Sequence, residues 1–192
     1  MDASSLAQAL RTAFPHAVAQ SYAWRGDATV RVAGESLLKV ARFLKEDPAF
    51  SMNFLMDLTA VDYSAFGKKP ALGLFSSSGV GVSPPSGIPD ADSWPGPGES
   101  RFVVVYHFFS LSLGHRLRLL VPVEEADPEV DSLTTLWAGA DWLEREVWDM
   151  FGIRFKGHPN LKRILMYEEF TGHPLRKDYP VKKRQPLIWP IN

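Results

Sequence analysis

Not one of the 192 residues is a cysteine. That excludes disulfides, zinc ribbons and any iron–sulfur cluster held by thiolates of this chain. No apolar run reaches the roughly eighteen residues that a membrane-spanning helix needs. The opening stretch MDASSLAQALRTAF lacks the basic region and apolar core of a secretory signal, so a cytoplasmic location is the expectation. A Walker-type phosphate cradle is missing too. Gly79-Val80-Gly81-Val82 starts like a dinucleotide loop, but Pro84 stands where the next glycine belongs and no helix follows. Nor is there an excess of charge: 21 basic against 22 acidic residues give a net −1, and 45% of the chain is hydrophobic. This is the composition of an ordinary globular protein, long enough for one domain with a substantial core.

The charge is unevenly placed. Residues 162–192 hold seven basic and three acidic side chains, a net +4, which leaves −5 on the rest. A basic end suits nucleic acid, anionic lipid or an acidic protein surface, or is simply solvated. Here the positive charges are interleaved with prolines and acids and match no nucleic-acid module, so no nucleic-acid partner is expected.

Periodicity organises the first half. Ser4 or Ser5 is positioned to cap a helix carrying Leu6, Leu10, Ala13 and Phe14, closed by Pro15. Two strands, Ala17 to Trp24 and Ala28 to Ala33, flank the turn Arg25-Gly26-Asp27. A second amphipathic helix runs from Glu35 to Glu46 and stops at Pro48. Phe54 to Val61 alternates, with Phe54, Met56, Leu58 and Ala60 on one face. Arg101 to Phe109 and Arg116 to Val123 form a hairpin about Gly114-His115, and Leu133 to Trp137 reads as a short helical piece. Strand–helix alternation does not repeat. The pattern predicts an α+β fold of two layers, a mixed sheet with helices on one face, over residues 1–165. An extended tail, 166–192, follows; Pro174, Pro180, Pro186 and Pro190 break it, and its apolar side chains suit a partner's surface better than water.

The densest chemistry lies between Ala140 and Pro180. Asp141 and Glu144 have capping-box spacing, Leu143, Val147 and Met150 share a helical face, and Gly152 suits a left-handed stop. Glu144, Arg145, Glu146 and Asp149 then point away from the Leu143 stripe, with Arg145 and Asp149 as i, i+4 neighbours. Ile153-Arg154-Phe155 reads as a short strand. The phrase Phe-x-Gly-His-Pro occurs twice, ending in Gly157-His158-Pro159 and in Gly172-His173-Pro174. Each is a turn by composition. The two histidines are fifteen residues apart, unlike the usual metal-ligand spacing, so hydrogen bonding is expected of them. The acids Glu144, Glu146 and Asp149 lack a nucleophile–base pair in sequence; ion pairs to Arg163, Arg176 or Lys177, or to a partner, are expected instead of acid–base catalysis.

The string Glu144-Arg145-Glu146-x-Trp148-Asp149-Met150-Phe151-Gly152-Ile153-x-Phe155-x-Gly157-His158-Pro159 resembles the signature of the 30-kilodalton subunit family of respiratory complex I, the C subunit of NADH-quinone oxidoreductase in bacteria. The resemblance continues through Arg163-Ile164-Leu165 and Gly172-His173-Pro174-Leu175-Arg176-Lys177-Asp178-Tyr179-Pro180. It implies a scaffold and assembly role in the peripheral arm, on the cytoplasmic side of the membrane. The complex carries electrons from NADH through FMN and iron–sulfur clusters to quinone. The resemblance places those groups in partner chains and implies neither cofactor, metal nor catalytic residue here. It implies contacts with the hydrogenase-like D subunit and the cluster-bearing B and I subunits, and membrane contact only through the complex. Glu144, Arg145, Glu146, Asp149, Gly157, His158, Pro159, Arg163, His173, Pro174, Arg176, Lys177, Asp178 and Tyr179 are its candidate motif or partner-binding residues. A ferredoxin-dependent quinone reductase or a membrane-bound hydrogenase built on the same subunit is the alternative, and a nucleic-acid-binding protein using the basic tail is a more distant one.

Residues 64–100 depart from the family, in which this region is usually a short connection. Twenty-one of these 37 residues are Gly, Pro or Ser, the composition of a long loop that does not build a core. Replacing them by a short Gly/Ser linker is predicted to cost less than about 3 kcal/mol in thermal unfolding, since closure entropy grows slowly with loop length. A larger loss would show that the segment packs.

Overall fold

The computed structural model describes residues 1–65, 100–183 and 185. Most of the insertion, including Ala71 to Phe75, whose sequence suits a strand fragment, therefore lies outside the described residues, as does the last stretch of the tail.

Helix α1 (Ala3–Ala13) is capped by Asp2, whose carboxylate accepts the Ser5 amide at 2.7 Å. The expected serine cap is thus one turn too late: Asp2 leaves both serines inside the first turn. Leu6, Ala7 and Leu10 are its buried stripe. Strands β1 (Val18–Trp24) and β2 (Asp27–Val32) form a hairpin. Its two turn residues, Arg25 and Gly26, have φ of +50° and +86°, the left-handed pair that matches the twist of a two-residue hairpin. Helix α2 (Leu37–Glu46), entered through a 3₁₀ turn at Gly34–Ser36, buries Leu37, Val40, Ala41 and Leu44. These fall at i, i+3, i+4 and i+7, one helical face.

Strands β3 (Phe54–Asp62), β4 (Phe102–Phe109) and β5 (Arg116–Val123) complete a five-stranded sheet of order β1-β2-β5-β4-β3. Only β2 and β5 run parallel; the other pairs are antiparallel. The expected mixed sheet is therefore present. All three helices bury side chains in one cluster on one of its faces, with Val30, Leu58, Phe102, Val104, Tyr106, Phe108 and Leu119 from the strands. The alternation of β4 sends Val103 and Val105 to the opposite face, where they meet Leu120, Val61 and Tyr63.

Two strand details differ from the sequence reading. The register of β3 shifts between Leu55 and Asp57, so Leu55 is buried and Phe54 and Met56 are exposed. A bulge puts one extra residue in the strand and reverses its phase, which plain alternation does not show. A further strand, β6 (Glu129–Asp131), pairs in parallel with β7 (Arg154–Lys156). Three residues are too few to leave a periodic signal. The piece expected to be helical at Leu133 to Trp137 is a single turn, closed by the Leu136 and Trp137 amides on the Leu133 carbonyl at 2.9 Å each. Helix α3 (Ala140–Phe151) then packs against β3. From Gly157 onward the described residues form neither helix nor strand, as expected of an extended tail.

Phe108 is 1% exposed, and its ring lies 4.8 Å from that of Trp137, which ties the sheet to the turn before α3. Phe108→Ala is predicted to lower unfolding free energy by about 3–5 kcal/mol in urea titration. A loss under about 1 kcal/mol would mean that this joint does not hold the layers together.

Candidate functional site

The motif residues converge on α3 and on the irregular segment 157–179, which crosses back over both ends of the helix like a strap. The helix itself starts differently from the sequence reading. Gly139 is its N-cap, with no side-chain cap, and Asp141 is inside the first turn. Glu144 is not half of a capping box. It is fully buried, accepting the Leu133 amide at 2.7 Å and the Ser132 hydroxyl at 2.6 Å. Nor do the charged residues all face water: Glu144, Arg145 and Asp149 are buried, and only Glu146 is exposed. Helical periodicity gave them to the outer face because nothing local reveals the strap that covers it.

Arg145 does not pair with Asp149. Its Nε and Nη2 donate to the Lys162 and Arg163 carbonyls at 3.1 Å each, and its guanidinium lies over the Trp142 ring. Asp149 turns instead to the strap. Its Oδ2 accepts the amides of Ile164, Leu165 and Met166 at 3.1, 2.9 and 2.8 Å, while Oδ1 takes the Arg163 guanidinium. Burial alone would raise this carboxyl. The Met166, Leu165 and Ile164 amides and Arg163 outweigh it and hold the group below the ordinary carboxylate range. Arg163 is saturated further: it donates to the Phe170 and Gly172 carbonyls at 2.8 and 3.1 Å, between the Trp148 and Phe170 rings.

The end of α3 is closed by the same segment. Gly152 sits at φ +73° and returns its amide to Trp148 O at 2.8 Å. The next three carbonyls have no partner within the helix. His173 Nδ1 donates to Asp149 O at 2.9 Å, the Leu175 amide to Met150 O at 3.1 Å, and Arg176 Nε to Phe151 O. A Cβ on Gly152 would lie 2.5 Å from the His173 ring and 2.7 Å from Arg176, so only glycine fits here. The His173 ring stands edge-on to Trp148, and burial lowers its basicity, with Arg176 and Arg163 adding to the effect against the Asp149 carbonyl.

His158 performs the matching task at the other end. The Asn160 amide donates to its Nδ1 at 3.0 Å, so Nε2 carries the hydrogen and donates to Asp141 O at 3.1 Å. The repeated phrase thus supplies one histidine to each end of one helix. In each, a glycine at positive φ (Gly157 at +81°, Gly172 at +97°) and a proline, Pro159 or Pro174, set the bend. Among the described residues no three His, Asp or Glu side chains are grouped to hold a metal ion.

Beyond Arg176 the strap reaches the sheet. The Lys177 amide donates to Asp62 Oδ2 at 2.9 Å, and Asp178 pairs with Arg101 at 2.9 Å. Arg101 in turn grips both oxygens of Asp62, at 3.1 and 2.9 Å, and Glu125 at 2.7 Å. Tyr179 stacks on Phe170, and its hydroxyl accepts from Gln185 at 2.8 Å. Asp62 and Arg101 were not among the residues singled out from sequence. Asp62 lies 115 positions from Lys177; an acid ending an apolar strand was the only hint. Arg176 and Lys177 also act otherwise than expected, Arg176 through a carbonyl and Lys177 through its backbone. Within this domain Arg176 is a packed residue that lies over Phe102, not a free tail side chain.

The same architecture occurs in solved structures. The fold matches the trypsin-resistant fragment 1–134 of Nqo5 with a TM-score of 0.59 and 28% identity, covering 81% of this chain and 98% of that one. A chain of the membrane-bound sulfane sulfur reductase, an archaeal respiratory membrane complex, shares the fold with a TM-score of 0.63 at 19% identity, over 93% of this chain and 85% of that one. The chain belongs to the family of the respiratory-chain NADH dehydrogenase 30 kDa subunit, whose profile matches residues 30–185. Curated relatives agree. The NADH-quinone oxidoreductase C subunit of Citrifermentans bemidjiense is 42% identical over 90% of this chain and 86% of its own length. That of Roseiflexus sp. strain RS-1 is 42% identical over 94% and 86%.

Asp149 and Asp62 both have folded-state pKa values held down; for Asp62, burial is opposed by Arg101, the Lys177 amide and Ser64. A carboxyl whose folded value is depressed contributes stability above its unfolded value, lost as pH falls through the folded one. The chain should therefore lose stability steeply below about pH 4. Asp149→Asn should flatten that acid limb and cost about 3 kcal/mol at neutral pH, because Arg163 is left without its anion. Unchanged acid unfolding in this variant would refute the assignment.

Proposed function

We propose that this chain is a scaffold component of a proton-translocating NADH:quinone oxidoreductase, carrying no redox group itself. Its membership in the 30 kDa subunit family carries the reading. The donor set supports it: iron–sulfur clusters are held chiefly by thiolates, and the chain has no cysteine. FMN and the clusters then belong to partner subunits, and this chain moves no electron. No helix among the described residues is long and apolar enough to cross a membrane, which fits a peripheral position on the cytoplasmic side, reached through the complex.

Its work is to present a rigid surface to the hydrogenase-like D subunit and to the cluster-bearing B and I subunits. The strap consumes Arg163, His173 and Arg176 internally, so the anchors for a partner are sought among what remains outside. Trp142, Leu165 and Leu175 are 63%, 57% and 49% exposed along α3 and the strap. Of these Trp142 is the strongest candidate anchor, since tryptophan is enriched among the few residues that carry most interface energy. The alternative is a ferredoxin-linked quinone reductase or a membrane-bound hydrogenase built on the same subunit; that the fold recurs at 19% identity in a membrane-bound sulfane sulfur reductase shows that it is used outside NADH-linked complexes. A flavin-bearing NADH-oxidising subunit in the purified native complex decides for the first reading.

Trp142→Ala is predicted to leave the isolated chain's melting temperature nearly unchanged and to weaken capture of the hydrogenase-like subunit by roughly 2 kcal/mol. Visible absorption and metal analysis of the isolated chain should show neither flavin nor stoichiometric iron. Iron or flavin that survives gel filtration would overturn the scaffold reading.

A further inference from the structure

Glu144 stands apart from the other acids of the site. It is 0% exposed, one turn into α3. Its two hydrogen-bond partners, the Leu133 amide and the Ser132 hydroxyl, are both neutral. The ionisable groups facing it are unhelpful to an anion. Asp141 lies on the same helix, and from β4 the buried Tyr106 phenol, which has no hydrogen-bond partner, feels the charge of Glu144 and that of Asp131 on β6. The adjacent cation, Arg145, is turned away to the Lys162 and Arg163 carbonyls. Asp149, one turn further on, is committed to Arg163.

A carboxylate out of water without a cation is penalised more than its protonated form. Here the protonated form also has an acceptor and an exit. The Ser132 hydroxyl lies 2.6 Å from Glu144 Oε2 and 2.8 Å from the hydroxyl of Thr134, which is half-buried. We infer that Glu144 is an internal proton-binding site of the folded chain, exchanging its proton with solvent through the hydroxyls of Ser132 and Thr134. In the protonated state Glu144 donates to Ser132, and Ser132 donates to Thr134. On ionisation Thr134 gives a proton to a water or buffer base and each hydrogen bond reverses. One negative charge is then left on Glu144. Burial pushes this carboxyl up to about 7, against the Ser132 and Leu133 donors and with Asp141 reinforcing it. The unfolded chain has no such site, so folding takes up a proton.

The sign follows from linkage. A carboxyl raised in the folded state contributes its stability below its unfolded value, 4.5, and loses it as pH rises through the folded value of about 7. His107 and His173, pushed down by burial, act in the opposite direction in the same range, so the test is a comparison. Melting of the full chain is measured from pH 4.5 to 8.5 beside Glu144→Gln, the neutral isostere. The advantage of the variant over the parent should grow with pH by roughly 5 °C and level off above neutrality. Parallel profiles would overturn the proposal. Should Glu144→Gln not fold, the carboxyl carbons of ¹³C-labelled glutamate in the parent decide. One resonance with a midpoint above 6, moved higher still by Ser132→Ala, supports the site; midpoints all below 5 overturn it. Neither readout depends on which complex the chain joins.

Discussion

An α-helix that ends inside a protein leaves its last carbonyls facing something other than water. In α3 those carbonyls are taken up one by one by residues twenty-odd positions downstream: His173, Leu175 and Arg176. The strap has no helix or strand of its own to satisfy it, and it meets the helix through the same contacts. Asp149 makes the dependence mutual. Its carboxylate stands in for the missing partners of three consecutive strap amides and neutralises Arg163, whose other donors hold the Phe170 and Gly172 carbonyls. Helix end and strap thus satisfy each other's backbone groups.

The layers of the fold were legible because periodicity is a local property. Leu6 and Leu10 of the first helix, Leu37, Ala41 and Leu44 of the second, and the hairpin of Arg101–Phe109 with Arg116–Val123 follow from spacing alone. The misreadings share a cause: each depended on a partner distant in sequence or on one irregular residue. The bulge after Leu55 reversed a strand phase that eight residues of alternation had suggested. Glu144, Arg145 and Asp149 were expected to point away from the Leu143 stripe, with ion pairs to the segment that follows or to a partner; only the Asp149–Arg163 pair formed as expected. What buries them is the strap and the 132–134 turn, neither of which has a period. The repeated Gly-His-Pro phrase was the one non-periodic signal that could be read, and its two copies do share a role, one at each end of α3. Which carbonyls they reach was not written in the phrase.

The basic excess of the chain's end also takes a different meaning in three dimensions. Of its seven cations, Arg163 is cancelled by Asp149, which lies outside that stretch, and Arg176 is spent on a helix carbonyl over Phe102. The guanidinium groups act here as forks that fit several oxygens at once, a use that lysine does not replace. What the surface offers a partner is consequently less positive than the sequence implies, and apolar anchors such as Trp142 gain weight in recognition.

Glu144 and Asp149 are equally buried on the same helix, yet their titrations are displaced in opposite directions. Burial works against both anions, so it does not explain the difference. The partners do: Asp149 has three amides and a guanidinium, Glu144 one amide and one hydroxyl. The stability of the chain is thereby bounded on two sides. Acid protonates Asp149 and Asp62 and releases the strap from the helix and the sheet. Rising pH forces a charge into the pocket of Glu144. The folded state is best supported between about pH 4, where the paired carboxylates are already ionised, and neutrality, where Glu144 begins to lose its proton.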